Sequence, residues 1–137
     1  MSRTWTIRID APTWTTRDGK TKTAWLNANN RGSYHYRARW AKEWRARADA
    51  AIRAAAIPPL ERVHVYCHVY RARGGRFDPS NWYDTAKPCA DALVDTNVLT
   101  DDDHEHLIGP DMRAGTVDPV PHIILTIKEI KCPAART

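Results

Sequence analysis

The chain contains few cysteines and no long apolar run, and each absence argues against a class of protein. Its three cysteines, Cys67, Cys89 and Cys132, are far apart and form no C-x-x-C pair. That count and spacing argue against a zinc ribbon and against a disulfide framework. The first ten residues lack the apolar core of a signal peptide, and no apolar run approaches the length of a membrane span. We therefore expect a cytoplasmic protein.

Motifs for several other chemistries are also missing. The chain has no G-x-S-x-G nucleophile element, no P-loop and no dinucleotide-binding fingerprint. His104 and His106 flank Glu105, but no further ligand follows at a spacing that is diagnostic of a transition-metal site. What remains is one domain over residues 1–137, in which 42% apolar residues and six tryptophans can build a core.

Charge is distributed unevenly along the chain, whose net charge is +5. Seven Arg or Lys residues and only two acids lie between Arg31 and Arg53, whereas Lys87 is the only basic residue between Asp78 and Asp103. A basic surface beside an acidic pocket suits an enzyme that acts on nucleic acid. An arginine-rich helix is as often only a solvated surface, so composition alone does not separate the two interpretations.

The hydrophobic periodicity of the first half predicts a strand, a hairpin and a long helix. Residues 4–9 alternate between polar and apolar types, as in a half-buried strand. Asp18-Gly19, between two threonine-rich arms, indicates a hairpin with a two-residue loop. The long helix should end at Pro58-Pro59. Its apolar stripe comprises Trp40, Trp44, Ala48, Ala51, Ile52 and Ala55.

Three further elements are predicted in the second half. Residues 61–70 alternate between an apolar side and a side with His64 and His68, which we expect to be exposed. A second helix is expected over about residues 84–94, and a last strand over residues 122–130. The order β, hairpin, α, β, α, β predicts a small α+β single domain, a mixed β-sheet with two main helices packed on it.

The predicted second helix has an apolar side and a charged side on a helical wheel. The apolar side comprises Trp82, Ala86, Ala90 and Leu93, and the charged side comprises Asp84, Lys87, Asp91 and Asp95. Pro88 lacks the N–H that would bond to the carbonyl of Asp84, so the helix either starts near Thr85 or is kinked. In the first case Asp84 would be the N-cap, and we expect that structural role for it.

The acidic residues need an explanation, because carboxylates repel the polyanion that a basic surface attracts. A divalent metal provides one, since oxygen ligands hold magnesium and the metal in turn holds a phosphate. The alternatives are structural. The run Asp101–Asp103 is typical of a solvated turn, and Lys87 has the helical spacing for an ion pair with Asp84 or Asp91.

This segment carries a resemblance to a known family. Asp78, Asn81, Lys87, Asp91-Ala92-Leu93 and Asp101-Asp102 resemble the signature of the RusA family of Holliday junction resolvases. In that family an acidic D-x-D-N element precedes a lysine, a helix with D-x-L and an Asp-Asp pair. Asn29-Asn30 also resembles the asparagine-rich N-terminal patch of the family. The resemblance covers most of the chain, and its specificity rests on residues 78–102.

The resemblance implies a small, dimeric, magnesium-dependent endonuclease that cuts four-way DNA junctions, with Mn²⁺ as a substitute metal. Such proteins are carried by phages and prophages, which places this one in the cytoplasm of a bacterial host. The resemblance implies catalytic roles for Asp78, Lys87 and Asp102, of which Asp78 and Asp102 would also hold the metal. We expect Ser80, Asn81 and Asp101 to support the site.

Ser80 departs from the family pattern. Where the family often has a second aspartate before the asparagine, this chain has Ser80, and the interval from Asn81 to Lys87 is longer. We expect Asp91 to supply the missing metal ligand, because it shares a helix side with Lys87. The alternative ligands are Asp84, Asp101 and Asp103. The remaining alternative is a protein of the same fold that binds junctions without cutting them.

Arginines near the acidic segment are the expected phosphate contacts. The loop that leads to Asp78 supplies Arg71, Arg73 and Arg76, and Trp82 is a candidate for stacking on a base. For Arg37, Arg45 and Arg47 of the first helix, phosphate contact and a solvated surface are equally expected. The expected partner is a four-way DNA junction, with other branched DNA or RNA as alternatives. A homodimer would present two sites to its two symmetric strands.

Overall fold

A computed structural model describes residues 2–28 and 33–131. The Asn29-Asn30 patch and Cys132 lie outside the described residues. The predicted fold class is confirmed: the chain forms a small α+β domain with a mixed sheet and two main helices. Within these residues, no helix combines the length and the apolar character that a membrane crossing requires.

The elements alternate along the chain. The strands are β1 (Thr4–Asp10), β2 (Thr13–Thr15), β3 (Thr21–Thr23), β4 (Val63–Tyr70), β5 (Leu107–Ala114) and β6 (His122–Glu129), and the helices are α1 (Tyr34–Ala54) and α2 (Tyr83–Asp95). A 3₁₀ turn, Pro79–Trp82, leads into α2. The main sheet has the order β1-β6-β4-β5, in which β6 is antiparallel to both neighbours and β4 is parallel to β5.

The helices cover one side of this sheet. Val63, Val65, Cys67 and Val69 alternate along β4 and join the hydrophobic core with residues of α1 and α2. Because β4 and β5 are parallel, the chain crosses between them through α2, which packs against β5. The start of α2 therefore lies where β4 has ended, and the turn after α2 leads to the beginning of β5.

Strand β5 is absent from the predicted element order. Its sequence contains Gly109 and Pro110, which usually interrupt a strand and which concealed it. The sheet accommodates Pro110 because β5 is an edge strand and has a neighbouring strand on one side only. The missing N–H of proline therefore need not cost a hydrogen bond between strands.

Helix α1 agrees closely with its prediction. Ser33 caps it, since its hydroxyl oxygen accepts a hydrogen bond of 3.1 Å from the N–H of Tyr36. The buried residues of the helix are Trp40, Trp44, Ala48 and Ile52, spaced four residues apart. Of the other two stripe positions, Ala51 is half-buried and Ala55 is exposed, since the helix has ended at Ala54.

Helix α2 begins one residue earlier and ends one residue later than predicted. The expectation that Asp84 caps it was wrong. Trp82 occupies the N-cap position without a side-chain hydrogen bond, and Asp84 lies in the first turn. Pro88 is accommodated inside the helix as its sixth residue.

The hairpin of β2 and β3 is confirmed, but its two-residue loop was wrong. The N–H of Thr16 donates to the carbonyl of Lys20 at 2.8 Å, so three residues, Arg17 to Gly19, form the loop. Gly19 has a φ of +84°, which glycine adopts without the steric cost of a side chain. A three-residue loop with glycine in the left-handed conformation is the next most common hairpin connection.

Candidate functional site

The side chain of Lys87 connects two of the predicted site aspartates. Its ammonium nitrogen lies 2.5 Å from Oδ1 of Asp91, one helical turn further along α2, and 2.9 Å from Oδ2 of Asp102 in the turn before β5. The Lys87 side chain is 44% exposed, and that of Asp91 is 25% exposed. The cluster of Lys87, Asp91 and Asp102 therefore lies at the surface, where a phosphate group can approach it.

The pKa values in this cluster follow from its geometry. The hydrogen bond to Asp91 is the largest cause that raises the pKa of Lys87 to about 12; desolvation opposes it, and the hydrogen bond to Asp102 adds to the increase. The same ammonium group lowers the pKa of Asp102. Lys87 is therefore a full positive charge at neutral pH, and Asp102 is a full negative charge.

Helix α1 supplies cations to the other carboxylates on this side of α2. Nη2 of Arg37 lies 2.6 Å from Oδ2 of Asp84. Arg45 donates to both carboxylate oxygens of Asp95, at 2.6 and 2.7 Å, and its Nη1 also lies 3.7 Å from Asp91. Asp84 and Asp95 thus join the two helices, and Arg45 connects that pairing to the cluster around Lys87.

Asp78 lies apart from this cluster. Its carboxylate accepts hydrogen bonds from Nε of Arg76 at 3.1 Å and from Nδ2 of Asn81 at 3.5 Å. Its carbonyl accepts from the N–H of Asn81, which closes the 3₁₀ turn. Ser80 is exposed on that turn. Of the predicted catalytic residues, Lys87 and Asp102 are therefore brought together, with Asp91 as the expected additional carboxylate, and Asp78 is not among their contacts.

The run Asp101–Asp103 divides into two roles. Oδ1 of Asp101 accepts from the N–H of Asp102 at 2.7 Å. Oδ1 of Asp103 accepts from the N–H of Glu105 and lies 2.5 Å from Nδ1 of His106, a contact that lowers the pKa of Asp103 and raises that of His106. Asp101 and Asp103 thus form part of a turn, which was the alternative to a metal site for this run. Asp102 contacts Lys87.

Asp91 and Asp102 are the two carboxylates of the cluster that could hold a metal ion. Across residues 2–28 and 33–131, no three His, Cys, Asp or Glu side chains form a group that could hold a metal ion. Magnesium, however, is commonly bound by one or two carboxylates together with waters and substrate phosphates. Asp91 and Asp102 supply such a pair, although the ammonium group of Lys87 already contacts both.

The predicted DNA-binding arginines differ in their surroundings. Arg71 donates to the carbonyls of Gly75 and Arg76 at 3.1 and 3.3 Å, so it closes its own loop. Its guanidinium group also lies over the rings of Phe77 and Trp82. Arg73 is exposed. Trp82 stacks on Phe77 and packs edge-to-face against Trp25, with centroid separations of 5.6 and 5.3 Å.

One polar pair escaped the sequence analysis. Nε2 of His64 lies 2.7 Å from Oδ2 of Asp111, and the His64 side chain is only 24% exposed, less than we expected. Asp111 also lines a cavity of about 580 Å³ beside Ser80 and Tyr83. Alternation along β4 identifies the side of the sheet on which His64 lies, but its partner is on β5, the strand that was missed.

Comparison with known proteins adds no relative. No protein-family model matches this sequence, and no curated protein matches it.

Proposed function

We propose that this protein is a magnesium-dependent endonuclease that cuts branched DNA, with the four-way junction as its substrate. The observation that supports this most directly is the position of Lys87 between Asp91 and Asp102, three residues of the segment that resembles the RusA signature. Two carboxylates and a lysine at a protein surface suit phosphodiester hydrolysis, which needs a metal site and a positive charge close to it.

Each residue of the cluster has a distinct role in this proposal. Asp91 and Asp102 would hold the metal, which would polarise the phosphate and activate a water molecule. The ammonium group of Lys87 stabilises the negative charge that develops on the phosphoryl oxygens. Arg45 positions Asp91 from the neighbouring helix, at 3.7 Å.

The homodimer remains part of the proposal. A four-way junction has two symmetric strands to cut, and a two-fold dimer presents two equivalent clusters to them. Sedimentation with and without a synthetic junction measures the oligomeric state, and a protein that stays monomeric on the junction would contradict this part.

Cleavage of a synthetic four-way junction with labelled arms tests the proposed activity. We expect paired symmetric nicks in the presence of Mg²⁺, abolished by Asp102→Asn while junction binding is retained. Asp103→Asn is the matched control, because it removes a neighbouring carboxylate that contacts His106 rather than Lys87. Equal losses from the two substitutions, or no cleavage with Mg²⁺ or Mn²⁺, would contradict the proposal.

A non-catalytic junction-binding protein of the same fold is the second candidate. Two observations favour it: Asp78 contacts Arg76 and Asn81 rather than the cluster, and position 80 carries a hydroxyl instead of a carboxylate. Binding to junctions without cleavage at any metal concentration would support this candidate. Faster cleavage of linear duplex or RNA would instead indicate a metal nuclease with another substrate.

A further inference from the structure

Four of the five arginines of α1 are paired with carboxylates, and the fifth, Arg39, lies over the ring of Trp40. Besides the pairs of Arg37 and Arg45 across the helices, Nε of Arg47 lies 3.0 Å from Glu43, and Nε of Arg53 lies 2.7 Å from Asp49. An incoming phosphate would have to compete with these carboxylates for each guanidinium group. The four paired arginines of α1 are therefore poorly placed to bind phosphate.

A different surface combines accessible cations with apolar rings. A groove of about 410 Å³ lies between the end of the β2–β3 hairpin and the loop that follows β4. The side chains that line it include Lys22, Trp25, Arg71, Arg73 and Trp82. None of these described lining residues is acidic, so the groove attracts anions.

Two cations at the rim of the groove are available. Lys22 and Arg73 are both exposed, and neither forms an ion pair with another side chain of the described residues. They come from two separate parts of the chain, the hairpin and the loop, and so lie on different walls. A chain of phosphates between these walls would meet an exposed positive charge on either side.

The floor of the groove is apolar, and neighbouring side chains hold its two indole rings in place. Trp25 stacks on the buried Trp44 at 5.6 Å and meets Trp82 edge-to-face, while Trp82 stacks on Phe77. Arg71 lies over Trp82 and is held by the carbonyls of its own loop. The two indoles that line the groove are thus fixed before any ligand binds, which lowers the entropic cost of binding.

We propose that this groove binds an unpaired strand of DNA. Single-strand sites combine cations that follow the backbone with aromatic side chains that contact the bases, and the groove provides both. A base-paired duplex offers the rim its phosphates but keeps its bases stacked away from the indoles. Trp82, which lines the groove, is the last residue of the 3₁₀ turn, so a strand held in the groove would lie beside the start of α2. The identity of the ligand as DNA rests on the proposed function.

Fluorescence anisotropy with labelled oligothymidine, in EDTA to remove divalent metal, tests the groove. We expect Lys22→Ala with Arg73→Ala to weaken binding at least about tenfold and to reduce the salt slope by about 1.4, the contribution of two phosphate contacts to a single strand. The matched control is Arg47→Ala with Arg53→Ala, which removes the same charge from α1 and should leave the affinity within about twofold. Circular dichroism confirms that both variants are folded.

Three outcomes would overturn the proposal: equal losses in the two double variants, tighter binding of duplex than of oligothymidine, or no binding of oligothymidine by the unmodified protein. The outcome is separable from that of the proposed function. If the groove binds oligothymidine but the protein never cuts junctions, the single-strand site is supported and the nuclease function is rejected. Junction cleavage that is indifferent to Lys22 and Arg73 leaves the nuclease and rejects the groove.

Discussion

The ammonium nitrogen of Lys87 lies 2.9 Å from Oδ2 of Asp102, and it contacts Asp91 at the same time. It therefore occupies the position where a divalent cation would meet both carboxylates. Lys87→Met should make Mn²⁺ bind at least about tenfold more tightly in the absence of DNA, because the competing charge is gone. Isothermal titration calorimetry measures the affinity.

Lys42→Met is the matched control for that substitution. Lys42 and Lys87 both line a cavity of about 470 Å³ between α1 and α2. Lys42 forms no ion pair with a side chain of the described residues, so its loss changes the net charge alone. An unchanged or weaker Mn²⁺ affinity in Lys87→Met would show that the ion does not bind between Asp91 and Asp102.

Thr85 ties α2 to the segment after β3. Its completely buried hydroxyl accepts from the N–H of Leu26 at 2.9 Å and donates to the carbonyl of the same residue at 2.6 Å. Thr85→Val keeps the shape and leaves both Leu26 groups unpaired, so we expect a loss of about 2 to 3 kcal/mol in the free energy of unfolding. Urea titration measures it. Thr85→Ser, which retains the hydroxyl, should cost clearly less, and equal costs would contradict the explanation.

Trp44 is the largest fully buried side chain of the described residues. It is fully buried, and its indole Nε1 donates to the carbonyl of Ala24 at 2.8 Å. Trp44→Phe should destabilise the protein by about 2 to 3 kcal/mol, since it opens a void and leaves that buried carbonyl unpaired. Trp5→Phe, at a half-buried position in β1, should cost about 1 kcal/mol or less. Thermal unfolding of the two variants compares the sites.

Glu129 confers an acid-sensitive contribution to stability. Arg3 donates two hydrogen bonds to its carboxylate, at 3.1 and 2.9 Å, and holds its pKa down to about 2. A lowered pKa stabilises the folded state above the unfolded value of 4.5, and this contribution is lost as the pH falls from there toward 2. Glu129→Gln should therefore have a melting temperature that falls less than that of the unmodified protein between about pH 5 and about pH 2.

Arg3→Met provides the second test of this pair. It removes the cause of the lowered pKa and should flatten the same part of the pH profile, and the double variant should resemble either single one. Additive effects would mean that Arg3 and Glu129 act on stability independently.

The sequence predicted those elements that are determined by residues close to one another along the chain. Alternation identified β4, the four-residue spacing of Trp40 and Trp44 identified the buried side of α1, and the ion pair of Lys87 with Asp91 follows from helical spacing alone. Strand β5 was missed because Gly109 and Pro110 are tolerated only at an edge, a position that depends on the whole sheet.

The candidate site was predicted in part for the same reason. Asp102 reaches Lys87 because the turn after α2 folds back along the helix, a contact between residues 15 positions apart. Asp78 was expected beside them, but the intervening 3₁₀ turn ties it to Asn81. For Arg37 and Arg45 the sequence left phosphate contact and a solvated surface open, because their partners on α2, Asp84 and Asp95, are known only once the two helices are packed.

Cys67 of β4 and Cys89 of α2 lie on opposite sides of the boundary between sheet and helix, and both are fully buried. Burial raises the pKa of the Cys67 thiol to about 12 and that of Cys89 well above its usual range. Because only an accessible thiolate reacts with an alkylating reagent, modification of either cysteine requires the helix to leave the sheet. The rate at which a reagent alkylates these two thiols therefore reports how often α2 separates from the sheet.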